Sequence, residues 1–167
     1  GDPKGSVFVE GGEDVVAAAN AEIIRALAAG AHVYYTQDWH PPSTPHFETE
    51  GGRWPIHCVR ETWGAELHHR LVVAGPVVRK GSKGEDGYSG FTMRHPGSKV
   101  TVPTRLGGLL TDQGAVRVVV VGLAFDYCVQ ASALDAAALG YETTVLLSAT
   151  AAVEATPGDE DRVAGEL

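Results

Sequence analysis

Residues 116–121 read Val-Arg-Val-Val-Val-Val, a β-branched run with little polar alternation that passes through Gly122 into a helical pattern over 126–139. Such a run suits the middle of a parallel sheet, where both faces are covered. The same strand-then-helix unit recurs along the chain. A helix is predicted over 13–29, with Val16, Ile23, Ile24 and Leu27 at helical spacing, acidic residues in the first turn and Gly30 as the stop. Strands are predicted over 31–36, 76–80 and 142–147, helices over 104–113 and 158–167, and a short helix over 63–71. Asp126 stands where the cap of the helix over 126–139 belongs. The alternation implies an α/β fold of three layers, a parallel sheet flanked by helices on both faces. The 167 residues amount to one domain, 1–167, with no internal repeat or linker.

Composition narrows the function. Thirteen Lys and Arg against 21 Asp and Glu give a net charge of −8, which disfavours phosphate backbones and anionic lipid headgroups, so neither nucleic acid nor a membrane is an expected partner. The longest apolar runs are far short of a membrane span. Two cysteines do not make a disulfide scaffold, and no basic-then-apolar leader opens the sequence, so the expected location is the cytoplasm.

In parallel α/β sheets chemistry collects beyond the carboxyl ends of the strands. Asp38 follows the strand over 31–36, Lys80 ends the strand over 76–80, and Cys128 follows the run over 116–121. Three reactive side chains from distant parts of the chain therefore reach one edge. A thiol in the first turn of a helix is expected to have a lowered pKa and to be a nucleophile, with neighbouring N–H groups able to hold an oxyanion. A buried core cysteine, or a disulfide or redox pair with Cys58, are the plainer readings of Cys128. Lys80 gains meaning only beside that thiol.

The segments over 38–61 and 81–96 are long, polar and rich in Pro or Gly, and loops of that length are commonly functional. In extended chain Asp38 and His40 point to one side and can share an ion, and a carboxylate with imidazoles suits zinc, iron or manganese. His46 and His57 follow in the same loop, while His32, His68, His69 and His95 read as surface residues. Trp54 and Tyr88 can wall a flat ring-shaped ligand, and Phe91 pins its loop.

The blocks Thr36-Gln37-Asp38-Trp39-His40-Pro41, Trp54-Pro55-Ile56-His57-Cys58-Val59, Lys80-Gly81, Tyr88-Ser89-Gly90-Phe91 and Gly122-Leu123-Ala124-Phe125-Asp126-Tyr127-Cys128-Val129 resemble, in order, the nicotinamidase/pyrazinamidase branch of the isochorismatase-like cysteine hydrolases. The resemblance spans about Gly5 to about Val153. It implies a metal-dependent amidohydrolase that converts nicotinamide, and also pyrazinamide, to the acid and ammonia through a cysteine thioester. By the same resemblance Cys128 is the nucleophile and Lys80 assists. The N–H groups of Ala124 and Cys128 form an oxyanion hole behind a cis peptide. Asp38, His40, His57 and, in one branch, His46 hold one divalent metal, zinc first with iron or manganese as alternatives. Trp54, Tyr88, Leu123 and Tyr127 contact the small-molecule substrate. A homo-oligomer is among the states the resemblance allows.

Two departures stand out. Phe125 replaces a small residue, which is expected to reshape the pocket lip. The strand that supplies an aspartate as proton carrier, and the family's last strand, are expected to lie outside the sequence given. Rival readings are another amide or carbamoyl hydrolase of the same fold, and a non-catalytic pocket protein lacking that aspartate.

Overall fold

The computed structural model describes residues 4–98 and 100–166. Helix α1 (Gly12–Ala28) leads to strand β1 (Tyr35–Asp38), which pairs in parallel with β2 (Val77–Lys80) in the register Tyr35↔Val77 to Asp38↔Lys80. Strands β3 (Thr92–Arg94) and β4 (Thr101–Pro103) form a short antiparallel pair, and helix α2 (Leu106–Asp112) comes next. Strand β5 (Arg117–Leu123) pairs in parallel with β6 (Glu142–Ala151), with helix α3 (Gln130–Ala138) between them and α4 (Asp159–Glu166) after. The fold is α/β, as the alternation predicts. Its parallel strands come as two pairs, β1–β2 and β5–β6.

Apolar packing joins the two pairs. Val78 of β2, Phe91, Leu106 and Leu110 of α2, and Ala136 of α3 form one buried cluster, with Val118 of β5 and Tyr141 packed against it. Phe91 is thus the pin its position suggested. A second cluster unites Phe125, Val129 and Val163 beneath Val120 and Val145. Helices α1 and α3 both pack on the β5–β6 pair. The expectation of a fully covered β5 is corrected: Val118 and Val120 are half-buried, but Val116 and Val119 are exposed. Among the described residues β5 pairs with β6 along one edge only, so its run is covered less than that of a central strand.

Several local predictions shift for identifiable reasons. The first strand begins four residues later than predicted, because its ladder is set by Val77–Lys80, and Asp38 is its last residue. The helix predicted over 63–71 shrinks to one 3₁₀ turn, Trp63–Ala65. Gln37 Nε2 donates to the Ala65 carbonyl (2.7 Å), and Asn20 binds the Arg70 carbonyl and the Val72 N–H (both 2.8 Å), so these backbone groups have partners outside a helix. The loop over 81–96 contains β3. Near the end of β5, Gly122 takes φ 113° and the pairing with β6 jumps from Val120↔Val145 to Gly122↔Thr150. Such an irregularity bends the strand and re-aims the chain beyond it, here the π-helical turn Phe125–Val129 that carries Cys128. Asp126 does not cap its own helix. Its two carboxylate oxygens accept the Val153 and Glu154 N–H groups (3.0 and 2.9 Å) and tie that turn to the segment after β6. No helix among the described residues is long and apolar enough to cross a membrane.

Candidate active site

The register Asp38↔Lys80 sets both residues at the carboxyl end of their parallel pair. The Lys80 ammonium donates to Asp38 Oδ1 and lies 3.6 Å from Cys128 Sγ. Lys80 is buried, at 4% exposure. Burial alone would discharge it, but the Asp38 carboxylate and the Cys128 sulfur more than offset that cost, so its pKa lies above the ordinary lysine range. Burial likewise opposes ionisation of Asp38, and Lys80, followed by His40, overcomes it and holds the carboxyl below its usual range. The pair is charged, and it is the electrostatic anchor of the site.

The three strand ends therefore meet as predicted, with one correction. The Cys128 thiol titrates above its ordinary value instead of below it, because burial dominates; Lys80 and the Ala124 N–H pull it down, and Asp38 pushes it up. A helix terminus is visible in a sequence, whereas the desolvation of a side chain is not. A buried thiol facing a fixed ammonium keeps its proton at rest and is stabilised as thiolate once that proton leaves. Cys58 and Cys128 are both free thiols, so no disulfide joins them.

Next to this lies a histidine cluster. His40, at 3% exposure, stacks on His46 (centroids 4.7 Å apart) and meets the edge of His57 (5.2 Å). One donor atom each from His40, His46 and His57 falls within 4.8 Å of the others, and Asp38, His57 and Cys58 form a second such group that shares His57. The four predicted donors thus meet as two overlapping groups, and Cys58 joins them unpredicted; its only sequence signal is that it follows His57. Burial pushes the Cys58 thiol up to about 12. Burial pushes His40 down to about 4 against the pull of Asp38, and lowers His57 as well, so these imidazoles are neutral with lone pairs free. His57 Nδ1 is bonded to the Pro55 carbonyl (2.7 Å), which leaves Nε2 as donor. Both ring nitrogens of His40 are buried without a hydrogen-bond partner. Buried polar atoms are nearly always satisfied, and a cation shared with the other two imidazoles would take the lone pair of one of these nitrogens. The cluster fits a divalent metal ion.

Gly81 makes room for this. A Cβ at that position would stand 2.5 Å from His40 Nδ1, and its φ of +72° is one that side-chain-bearing residues avoid. Of the remaining histidines, His32, His69 and His95 are exposed, as expected of surface residues, and His68 is half-buried and bonded to Glu13 (3.0 Å).

The aromatic residues form one cluster that touches His57 through Trp54. Trp54 Nε1 donates to the Tyr88 hydroxyl (3.0 Å), and the Tyr127 ring lies 4.9 Å from Trp54 and 5.1 Å from Tyr88. Arg53, which carries no motif in the sequence, donates to the Tyr127 hydroxyl (2.8 Å) and places its guanidinium over both rings. Leu123 ends β5 half-buried, and the peptide joining it to Ala124 is cis. Phe125 departs from expectation. It is 1% exposed and packs on Val129 and Val163, so it belongs to the core and not to the pocket lip.

Comparison with known proteins bears on this arrangement. The Isochorismatase domain model matches residues 4–161. The chain belongs to the isochorismatase family. Its relatives in that family include the nicotinamidase of Escherichia coli (strain K12), 33% identical over an alignment of 174 positions, gaps included, that covers 93% of this chain and 79% of that protein. Among solved structures, the pyrazinamidase of Pyrococcus horikoshii in complex with zinc superposes with a TM-score of 0.85 at 34% identity, covering 98% of this chain and 86% of that one. PnC1 from L. infantum, solved in complex with nicotinate, gives a TM-score of 0.84 at 37% identity over 99% of this chain and 80% of that one. The isochorismatase-like fold of the chain accords with its α/β alternation.

Proposed function

We propose that this chain is a nicotinamidase, hydrolysing nicotinamide to nicotinate and ammonia as a single cytoplasmic domain. The observation that carries the proposal is the contact of Lys80 with Cys128 and Asp38 at the strand ends, next to three histidines free to bind a metal. Its relatives' activity on the same fold supports the substrate.

Cys128 Sγ attacks the carboxamide carbon as its proton passes to a carboxylate acceptor, the role the resemblance gives to an aspartate. Lys80 stabilises the thiolate as it forms, because its ammonium is already desolvated and oriented. The carbonyl oxygen gains charge and is met by the N–H groups of Ala124 and Cys128. The tetrahedral adduct collapses with protonation of the amide nitrogen. The C–N bond breaks, ammonia leaves and a thioester remains; water adds to it, the C–S bond breaks, and nicotinate and the thiol are released. Trp54, Tyr88 and Tyr127, with Leu123 at the strand end, hold the flat ring. Asp38, His40, His46 and His57 would hold the metal, for which zinc suits an imidazole-rich set best. When bound, it supplies a Lewis-acidic centre for a water or a ring nitrogen.

Ammonia release from nicotinamide tests the proposal. Cys128→Ala is expected to lower turnover by a factor on the order of 10⁴ or more. Absence of ammonia release by the wild-type protein, or full activity in the variant, would refute it.

A further inference from the structure

Asp86 lies in the glycine-rich segment between β2 and β3 and carries no motif, yet the structure makes it a junction. Its Oδ1 accepts from His46 Nδ1 (2.9 Å) and from the Gly87 N–H (2.9 Å), and its Oδ2 accepts from Arg94 of β3. Its backbone also exchanges two hydrogen bonds with Arg94, N–H to carbonyl in each direction (2.8 and 2.6 Å). The carboxylate is therefore held from the hairpin side whether or not His46 is present. From the other side, buried Thr44 accepts the His46 backbone N–H and donates to the Gly84 carbonyl (both 3.4 Å).

A neutral imidazole has one N–H, and a carboxylate beside Nδ1 keeps the proton there. The lone pair of Nε2 is then free, and it is the one His46 can offer to the group it forms with His40 and His57. The three histidines differ in their outer partners. His57 has a backbone carbonyl, His40 has none, and among the described residues Asp86 is the carboxylate that hydrogen-bonds a ring of this group. Carboxylate partners of this kind typically change metal affinity by about 10- to 100-fold.

We propose that Asp86 is a positioning residue that makes His46 a metal donor, fixing its tautomer and ring orientation and bracing it against the β3–β4 hairpin through Arg94. This rests on the reading of the histidine cluster as a metal site.

The test uses zinc-loaded full-length protein challenged with graded chelator, and cobalt-loaded protein read by its visible absorption. Asp86→Ala is expected to release zinc at about 10- to 100-fold lower chelator and to alter the cobalt spectrum. Asp86→Asn keeps an acceptor oxygen and is expected to lie between that variant and wild type. His46→Ala added to either should cost little more than His46→Ala alone. The proposal is overturned if Asp86→Ala holds zinc as wild type does, or if its effect is undiminished without His46. Should Asp86→Ala not fold, the cycle of Asp86→Asn with His46→Ala decides by the same criterion. If the wild type itself takes up neither ion, the metal reading and this proposal fall together; if the wild type binds and the variants match it, only this proposal falls.

Discussion

Replacing Gly81 by alanine separates the backbone that shapes the metal site from the side chains that form it. Gly81 follows Lys80 directly and has φ +72°; its Cβ would stand 2.5 Å from His40 Nδ1 and 2.6 Å from Cε1. An ordinary van der Waals contact lies at about 3.5–4.0 Å, so the ring or the strand must move. The ring has little freedom, with His46 stacked on it and Phe47 and His57 edge-on. Gly84, three residues on, is the matched control. Its φ is +81°, but the nearest atoms to its Cβ, Pro96 Cγ and Thr44 Oγ1, are 3.8 Å away. Both substitutions place a side chain in the left-handed region, at about 1–2 kcal/mol each. For a chain of this size that lowers Tm by about 2–4 °C per kcal/mol.

Only Gly81→Ala displaces a donor. Ligand distances in metal sites hold to about 0.2 Å, so a shift approaching 1 Å removes His40 from the set. Melting curves should fall in both variants, and further in Gly81→Ala because of the added clash, while zinc retention under chelator falls at least about tenfold in Gly81→Ala alone, since one lost ligand contact exceeds about 1.4 kcal/mol. Equal zinc retention in the two variants would overturn this account, because the affinity would then not depend on the position of His40.

The acid limb of stability in metal-free protein should report His40. Its folded pKa of about 4 lies below the ordinary 6.5, so the unfolded chain binds the proton first. Stability is complete above about pH 6.5 and is lost as pH falls toward 4, by on the order of 3 kcal/mol for a 2.5-unit difference. Urea unfolding at pH 7 and pH 4 measures it, and a loss of the same size in His40→Phe would show that another group is responsible. Phe125→Ala should cost about 3–5 kcal/mol in the same assay, as a core truncation does, and leave KM for nicotinamide nearly unchanged. A raised KM with stability intact would return Phe125 to the pocket lip.

The part of the site legible in the sequence was the part that depends on topology. A strand end in a parallel α/β sheet has a known address, so the sequence alone brings Asp38, Lys80 and Cys128 to one edge, and Lys80 does contact the other two. Trp54 and Tyr88 stood out because large aromatics in long loops have no core to fill, and they meet at 3.0 Å. The His40 and His57 positions were legible as residue types near Asp38, but their division into two donor groups was not, since a spacing says nothing of ring rotation.

The features that were not legible share a physical form. The residues over 63–71 have a helical pattern, and their backbone groups are claimed by Gln37, 28 residues from Ala65, and by Asn20, about 50 residues away. Asp126 has the position of a cap and serves as a clamp on Val153 and Glu154, 27 and 28 residues on. Asp86 has no local signal and holds His46 across 40 residues. Each is a polar side chain satisfying a group that is distant in sequence and close in space. Hydrophobic period and cap rules describe what a segment does when its polar groups bond locally or to water, so they fail where a remote donor or acceptor takes over. Loops lack the regular ladders that would otherwise satisfy their backbone, so side chains take that part, and at Asp86 the same carboxylate that accepts the Gly87 N–H also holds the ring of His46.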